Sequence, residues 1–185
     1  MNQYGKVAVI MGGSSAERDV SLMSGAGVLA ALQASGVDAH AFDPAEKSLQ
    51  ALKTEGFDHA FLILHGRGGE DGTIQGALEF LGLPYTGCGV MASAIGMDKW
   101  RSKMLWEAAS LPVPAYRIVE SAAELKLAAD ELGLPLFVKP ASEGSSVGVV
   151  KLKSLDGIAA AWDEVSRHNS VVLAEQNIGG GEYTC

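Results

Sequence analysis

Cysteine, clustered positive charge and long hydrophobic runs are all scarce in this chain of 185 residues. Its two cysteines, Cys88 and Cys185, lie far apart and match no metal-ligand spacing. We therefore expect no disulfide scaffold, and this cysteine usage fits a reducing compartment. The formal net charge of −8, without any cluster of lysine and arginine, argues against general nucleic-acid binding.

The apolar runs are too short for a membrane protein. Runs such as residues 7–11 and 61–64 fall far below the roughly 20 residues that span a bilayer. Residues 1–13 contain no apolar core long enough for a secretory leader. We therefore predict a cytoplasmic protein without membrane contact, with one large or two small domains.

Hydrophobic patterning in the first half predicts a parallel α/β sheet. Residues 7–11 form a continuous apolar run bounded by glycine, which predicts a strand buried on both faces. The pattern then predicts a helix of about five turns that ends at Ser35-Gly36. Further elements are predicted as strands at 39–42 and 60–64 and helices at 46–53 and 73–81. This alternation is typical of a Rossmann-like domain.

The second half predicts another α/β unit. Helical spacing runs from residue 90 to 110 with a break at Gly96, and two prolines keep 111–114 extended. Further elements are predicted as a capped helix at 121–133, strands at 136–139, 147–152 and 170–175, and a helix at 155–168. We place domains at 1–88 and 89–178. Residues 179–185 resemble the start of a further domain, so we expect the chain to be cut.

Gly12 to Arg18 form a glycine-serine turn that follows the first strand and opens a helix. Backbone amides at such a helix start can hold an anion. The dinucleotide fingerprint G-x-G-x-x-G is absent, but Asp43 follows the second strand, where a ribose-binding carboxylate would lie. Ser14-x-x-Glu17 also fits a capping box, so both a structural and a functional role for Glu17 stay open.

Residues His65 to Gly72 follow the third strand, at the end of the sheet where open α/β folds bind ligands. Four of these eight residues are glycine, which allows the backbone to approach a substrate closely. A substrate loop and a solvated turn are both compatible with this composition.

Lys139 ends an apolar strand, and Pro140 removes a ladder donor, so we expect the Lys139 ammonium at the sheet edge. Residues 143–148 fit either a hairpin turn or a loop that covers phosphate. Their proximity to Lys139 favours phosphate. Lys99, considered alone, is explained as a surface lysine on a helix.

Six motifs then stand in one order along the chain. They are GGxSAERxVS from Gly12, HGxxGEDGxxQG from His65, PYTG from Pro84, MDK from Met97, VKP from Val138 and EGSSVG from Glu143. In this combination the chain resembles bacterial D-alanine-D-alanine ligases. The resemblance implies an ATP-grasp enzyme in which a Rossmann-like domain precedes a central α+β subdomain and a C-terminal subdomain. It also implies that ATP activates one D-alanine as an acyl phosphate, which the amine of a second attacks, to supply peptidoglycan precursors.

The resemblance assigns roles to residues. Glu17 and Ser145 match the catalytic pair that orients the first D-alanine, and His65 lines the same pocket. Positions matched to ATP binding are Lys99, Lys139, Glu143, Gly144, Ser145, Ser146, Glu175 and Glu182, the two glutamates at 175 and 182 lying around adenine and ribose. Ligands for magnesium or manganese would lie beyond Cys185, so no metal ligand is expected in this chain.

The resemblance implies D-alanine and ATP as partners and a homodimer as the assembly. The chain alone is expected to be inactive. Two alternatives stay open: another ATP-grasp carboxylate-amine ligase, such as a D-alanine-D-lactate ligase, or an inert nucleotide-binding or dimerisation fragment. ADP production with and without D-alanine would separate them.

Overall fold

The computed structural model describes residues 4–144, 147–168, 171–181 and 183. The chain forms two compact units, residues 1–96 and 97–185. The first unit continues beyond residue 88, where the sequence suggested a boundary. Within the described ranges, no helix is long and apolar enough to cross a membrane.

The first unit is built on a parallel sheet of three strands. Its elements are β1 (Lys6–Ile10), α1 (Arg18–Ala34), β2 (Asp38–Phe42), α2 (Ala51–Thr54), β3 (His59–Leu62), α3 (Thr73–Leu81) and α4 (Val90–Met97). The strand order is β2-β1-β3, which confirms the predicted Rossmann-like arrangement. The predicted helix at 46–53 is wrong in its first half, because residues 44–46 form a turn. In this turn the Asp43 carbonyl accepts the amide hydrogens of Glu46 and Lys47.

Strand β1 is covered on both faces, as its continuous apolar run predicts. Ala8 and Ile10 belong to a cluster with Phe42, Leu52 and Leu78 on one face. On the opposite face, Val7, Val9 and Met11 are packed by apolar side chains of α1. Helix α1 approaches closely at Gly25, where an added Cβ would lie 2.5 Å from the Met11 Cβ. The glycine therefore sets the distance between helix and sheet.

The second unit is built on an antiparallel sheet of four strands. Its elements are α5 (Lys99–Ala108), β4 (Tyr116–Val119), α6 (Ala122–Leu132), β5 (Leu136–Pro140), β6 (Val150–Leu152), α7 (Ile158–Ser166) and β7 (Val172–Gln176), with a short 3-10 turn at Leu155–Gly157. The strand order is β4-β7-β5-β6. The resemblance implies an α+β subdomain, and this arrangement confirms it. The alternation of helices and strands suggested an α/β unit, but all the described strand pairs of this sheet are antiparallel.

The two faces of this sheet differ in chemistry. Leu136, Val138, Val172 and Ala174 face a core that α6 and α7 complete. Because successive strand residues alternate between faces, Phe137, Lys139, Leu173 and Glu175 lie on the other face. The second face therefore carries the ionisable side chains of β5 and β7.

Several element boundaries differ from the predictions for local reasons. The helical segment 90–110 breaks at Asp98, not Gly96, because Asp98 has extended backbone and its side chain caps α5 by accepting the Arg101 amide hydrogen. Strand β6 begins at Val150 because residues 147–148 form a turn in which Gly148 has a φ of +67°. Strand β4 was not predicted. The prediction that Lys139 lies at the sheet edge is wrong, because β5 lies between β7 and β6.

Candidate active site

The first cavity of interest lies at the carboxyl edge of the parallel sheet. Its volume is about 230 Å³, and its lining comes from residues 12–15, 44–49 and 64–77. The first two segments follow β1 and β2, and the third follows β3, so the ends of all three strands meet there. This is the edge at which open α/β sheets bind ligands.

The turn that follows β1 is held by side chains of the fold itself. The Gly12 amide donates to Ser21 Oγ at 2.9 Å, and the Gly13 amide donates to Asp43 Oδ1 at 3.0 Å. Arg18 Nη1 donates to the Gly13 carbonyl at 2.8 Å, and Arg18 Nη2 lies 2.7 Å from Asp43 Oδ2. The anion-binding role for these two amides and the ribose role for Asp43 are therefore wrong, because both groups already have internal partners.

The pKa of Asp43 reflects this setting. Burial raises the pKa, but hydrogen bonds from Arg18 and from the Gly13 and Ala45 amides outweigh burial and hold it below the ordinary value of 3.8. The carboxylate is therefore charged at neutral pH. It acts as a fixed anchor for the turn.

Helix α1 begins at Arg18, with Glu17 in the N-cap position and no side-chain cap hydrogen bond. The predicted capping box is wrong, because the Glu17 amide donates to Ser15 Oγ at 3.1 Å instead. Ser15 Oγ in turn donates to the His65 carbonyl at 2.7 Å, which ties the helix start to the loop after β3. The Glu17 carboxylate reaches the same loop, since a Cβ on Gly66 would lie 2.5 Å from Glu17 Oε2.

The loop from His65 to Gly72 is ordered by its own acidic side chains. Glu70 accepts the Gly66 amide hydrogen at 2.7 Å, and Asp71 accepts the Gly68 amide hydrogen at 2.8 Å. These two carboxylates are therefore structural. His65 lines the cavity, and its buried Nε2 has no hydrogen-bond partner among the described residues. Because this atom has almost no exposed surface, it is not assigned to a ligand.

The second cavity lies within the second unit and has a volume of about 410 Å³. The described residues that line it are Lys99, Pro114, Phe137, Lys139, Glu143, Gly144, Val149, Glu175, Gln176 and Ile178. The structure thus brings together five of the residues that the resemblance matched to ATP binding. Phe137, Val149 and Ile178 supply apolar lining that the sequence analysis did not identify.

Lys99 is not the surface lysine that its sequence context suggested. Its Nζ donates to the Pro140 carbonyl at 3.1 Å and also to the Glu143 carbonyl. Burial lowers the pKa of Lys99 below 10.5, and repulsion from the Lys139 ammonium lowers it further. Two cations therefore share one partly buried wall of the cavity.

The Glu175 carboxylate lies between two lysines. Its Oε1 is 3.1 Å from Lys139 Nζ, and its Oε2 is 2.8 Å from Lys103 Nζ. Lys103, on α5, is a buried residue that the sequence analysis missed. A lone lysine in a helix carries no sequence signal for burial, since most lysines lie on helix surfaces.

Three predicted site residues, Ser145, Ser146 and Glu182, lie outside the described residues. Within the described ranges, no group of three or more His, Cys, Asp or Glu side chains could hold a metal ion. The divalent metal therefore stays a prediction, and no residue described here is assigned to it.

Comparisons with known proteins agree with this architecture. A family model described as "D-ala D-ala ligase N-terminus" matches residues 40–88, and another described as "D-ala D-ala ligase C-terminus" matches residues 105–185. The chain is 64% identical over 185 residues to D-alanine–D-alanine ligase B of Chromobacterium violaceum. This match covers 100% of this chain and 61% of that protein. The chain belongs to the D-alanine–D-alanine ligase family.

Other members of the D-alanine–D-alanine ligase family support the assignment. The ligase of Laribacter hongkongensis is 62% identical over 183 residues, with 99% of this chain and 59% of that protein covered. A crystal structure of the Bacillus anthracis ligase gives a TM-score of 0.83 at 36% identity, over 95% of this chain and 58% of that chain. The structure of that ligase complexed with ATP gives a TM-score of 0.81 at 34% identity, and the match covers 95% of this chain and 60% of that chain. The fold is therefore the ATP-grasp fold of this family, and the chain spans about 60% of the length of the relatives it matches.

Proposed function

We propose that this chain contributes the first D-alanine pocket and the phosphate-binding lysines of an ATP-dependent ligase that joins two D-alanines. ATP phosphorylates the carboxylate of the first D-alanine, and the amine of the second D-alanine displaces inorganic phosphate to form the dipeptide bond. We also propose a cytoplasmic homodimer that supplies peptidoglycan precursors. Family membership supports this assignment, and the paired cations of the second cavity carry it.

A nucleoside triphosphate fits the second cavity on electrostatic grounds. Burial lowers the pKa of Lys99, and repulsion between the ammonium groups of Lys99 and Lys139 lowers it further. An anion between them would relieve that repulsion and form charge-assisted hydrogen bonds. The Phe137 and Ile178 side chains line the same cavity and can pack against the flat face of a purine ring.

The first cavity fits a small zwitterion. Glu17 is not among the lining residues, but its carboxylate lies beside Gly66, in the loop whose residue His65 lines the cavity, and we assign this carboxylate to the D-alanine ammonium. A cavity of about 230 Å³ has room for an amino acid of this size. Ser145, which the resemblance pairs with Glu17, lies outside the described residues, so its role stays a prediction.

Calorimetry with the 185-residue chain tests the nucleotide half of the proposal. Lys139→Ala should weaken ATP binding by about tenfold or more, which corresponds to about 1.4 kcal/mol. Lys126→Ala is the matched control, because Lys126 is an exposed lysine of α6 that pairs with Asp130 and does not line the cavity. Equal ATP affinity in the two variants would contradict the proposal.

Titration with D-alanine, followed by amide chemical shifts, tests the other half. Glu17→Gln should remove D-alanine binding while helix α1 stays intact, because Glu17 makes no side-chain cap hydrogen bond. An unchanged D-alanine affinity in Glu17→Gln would contradict the substrate assignment.

A further inference from the structure

We propose that Lys103 is a positioning residue for the nucleotide phosphates, acting through Glu175 on Lys139. This inference rests on the proposed nucleotide site and extends it to a residue outside that site. Lys103 neutralises the Glu175 carboxylate from the protein interior, so that the positive charge of Lys139 stays available to a phosphate chain. The argument depends on geometry, burial and the number of charges.

The three side chains form a line from the interior to the cavity. The Lys103 side chain is 7% exposed, whereas the Lys139 side chain is 19% exposed. Glu175 lies between them, with one carboxylate oxygen toward each ammonium, at 2.8 Å and 3.1 Å. Lys139 and Glu175 line the cavity, but Lys103 is not among its described lining residues. Lys103 can therefore influence a ligand only through Glu175 or through its charge.

The position of Lys103 follows from the strands beside it. Tyr116 on β4 is directly opposite Glu175 on β7, so the two side chains share a face of the sheet. Lys103 Nζ lies 5.3 Å from the centroid of the Tyr116 ring, within the range of a cation–π contact. The Tyr116 hydroxyl donates to Glu107 at 3.0 Å, which fixes the ring. Strand β4 and helix α5 thus hold the Lys103 ammonium against the carboxylate.

The number of charges decides what this arrangement does. Without Lys103, the buried Glu175 carboxylate would have Lys139 as its remaining ion-pair partner among the described residues. A buried carboxylate with one counter-ion holds that counter-ion tightly, because desolvation leaves it no alternative partner. Lys139 would then be neutralised by the protein. With Lys103 present, the trio carries a net positive charge, which is available at the cavity.

A double-mutant cycle on the 185-residue chain tests the inference, with ATP and inorganic tripolyphosphate as calorimetric probes. Lys103→Met should weaken the binding of both probes by about tenfold. Lys103→Arg, which keeps the charge, should restore most of the affinity. In the Glu175→Gln background, Lys103→Met should have little further effect, because the charge that Lys103 neutralises is absent.

The cycle separates positioning from packing and from a long-range charge effect. If packing or a long-range charge effect were responsible, Lys103→Met would weaken binding equally in the unmodified chain and in the Glu175→Gln background. That outcome would overturn the inference. Unchanged binding in Lys103→Met, with Lys139→Ala weakened, would also overturn it while leaving the proposed function intact. A wild-type chain that binds neither probe would overturn both.

Circular dichroism and thermal unfolding monitor the fold of every variant. If Lys103→Met fails to fold, Lys103→Gln takes its place, because its amide keeps a hydrogen-bond donor toward Glu175 without the charge. The same loss of about tenfold is then expected, and full affinity in Lys103→Gln would overturn the inference.

Discussion

Gly66→Ala perturbs the loop after β3 at the point where it meets Glu17. Gly66 has a φ of +67°, and an added Cβ would lie 2.5 Å from Glu17 Oε2. Gly56→Ala is a matched control in the same unit, because Gly56 has a φ of +73°, no atom within 4 Å of its added Cβ, and no place in the lining of the first cavity. The Gly66 amide donates to Glu70 and the Gly56 amide donates to the Lys53 carbonyl, and alanine keeps both donors.

The two substitutions should cost similar stability but differ in function. An alanine in the left-handed region costs about 1–2 kcal/mol, and this penalty applies at both positions. The contact at Gly66 is with the end of a flexible side chain, so Glu17 can swing aside at little additional cost in stability. The carboxylate must nevertheless move by about 1 Å, and such a displacement of a positioning group costs up to about a hundredfold.

Urea unfolding and a D-alanine titration, run on both variants, provide the measurement. We expect comparable losses in the free energy of unfolding, and a loss of D-alanine binding of at least about tenfold in Gly66→Ala alone. Equal D-alanine affinity in Gly66→Ala and Gly56→Ala would refute the placement of Glu17 in a substrate pocket.

Three further predictions concern stability and pH. Burial raises the pKa of Asp43, but Arg18 and two backbone amides hold it below 3.8, so its stabilisation is present above pH 3.8 and lost as pH falls through the lower folded pKa. Asp43→Asn should therefore flatten the acid side of the stability curve measured by urea unfolding. Leu125→Ala should lower the free energy of unfolding by about 2–5 kcal/mol, since Leu125 is 0% exposed. The control Leu127→Ala, on the same helix at 66% exposure, should change it by less than about 0.5 kcal/mol in the same assay. Burial lowers the pKa of Lys99 below 10.5, so the ATP affinity measured by calorimetry should begin to fall, as pH rises, at a pH below 10.5. In Lys99→Arg this decrease should begin at a higher pH, because arginine keeps its charge where lysine loses it.

Elements with strong local signals were predictable from the sequence. Helix α3 was predicted at 73–81 and occupies Thr73–Leu81, because left-handed glycines bound it at Gly72 and Gly82. Strand β1 was predictable from its continuous apolar run. Local patterns suffice where the chain itself contains the start and stop signals.

Elements that depend on tertiary contacts were not predictable. Strand β4 has four residues with Arg117 in its middle, so it shows little hydrophobic patterning, and it forms by pairing with β7. The capping motif at Ser14 is absent in the fold because Ser15 contacts the distant loop at His65. In both cases a partner remote in sequence decides the local structure.

The candidate site shows the same division. Lys139 was predicted from its position at the end of a strand and from the resemblance, and Glu175 from the resemblance alone. The burial of Lys103 depends on α5 lying against β4 and β7. For Asp43 a ribose role was weighed and disfavoured from the sequence, but its ion pair with Arg18 was not predicted, because Arg18 lies on the helix that follows β1. Motifs thus indicate which residues matter more reliably than they indicate which contacts those residues make.

The alternation along β7 couples the candidate site to the core of the second unit. Val172 and Ala174 belong to the core with α6 and α7, and Glu175 lies on the opposite face between two lysines. Insertion of a single residue within this strand would exchange the two sets and place the carboxylate among apolar side chains. A chain that lost the ion-pair arrangement in this way would also lose its core, so it would unfold and be degraded instead of persisting as a stable but inactive protein. Length changes within β7 should therefore be far rarer among functional sequences than side-chain substitutions.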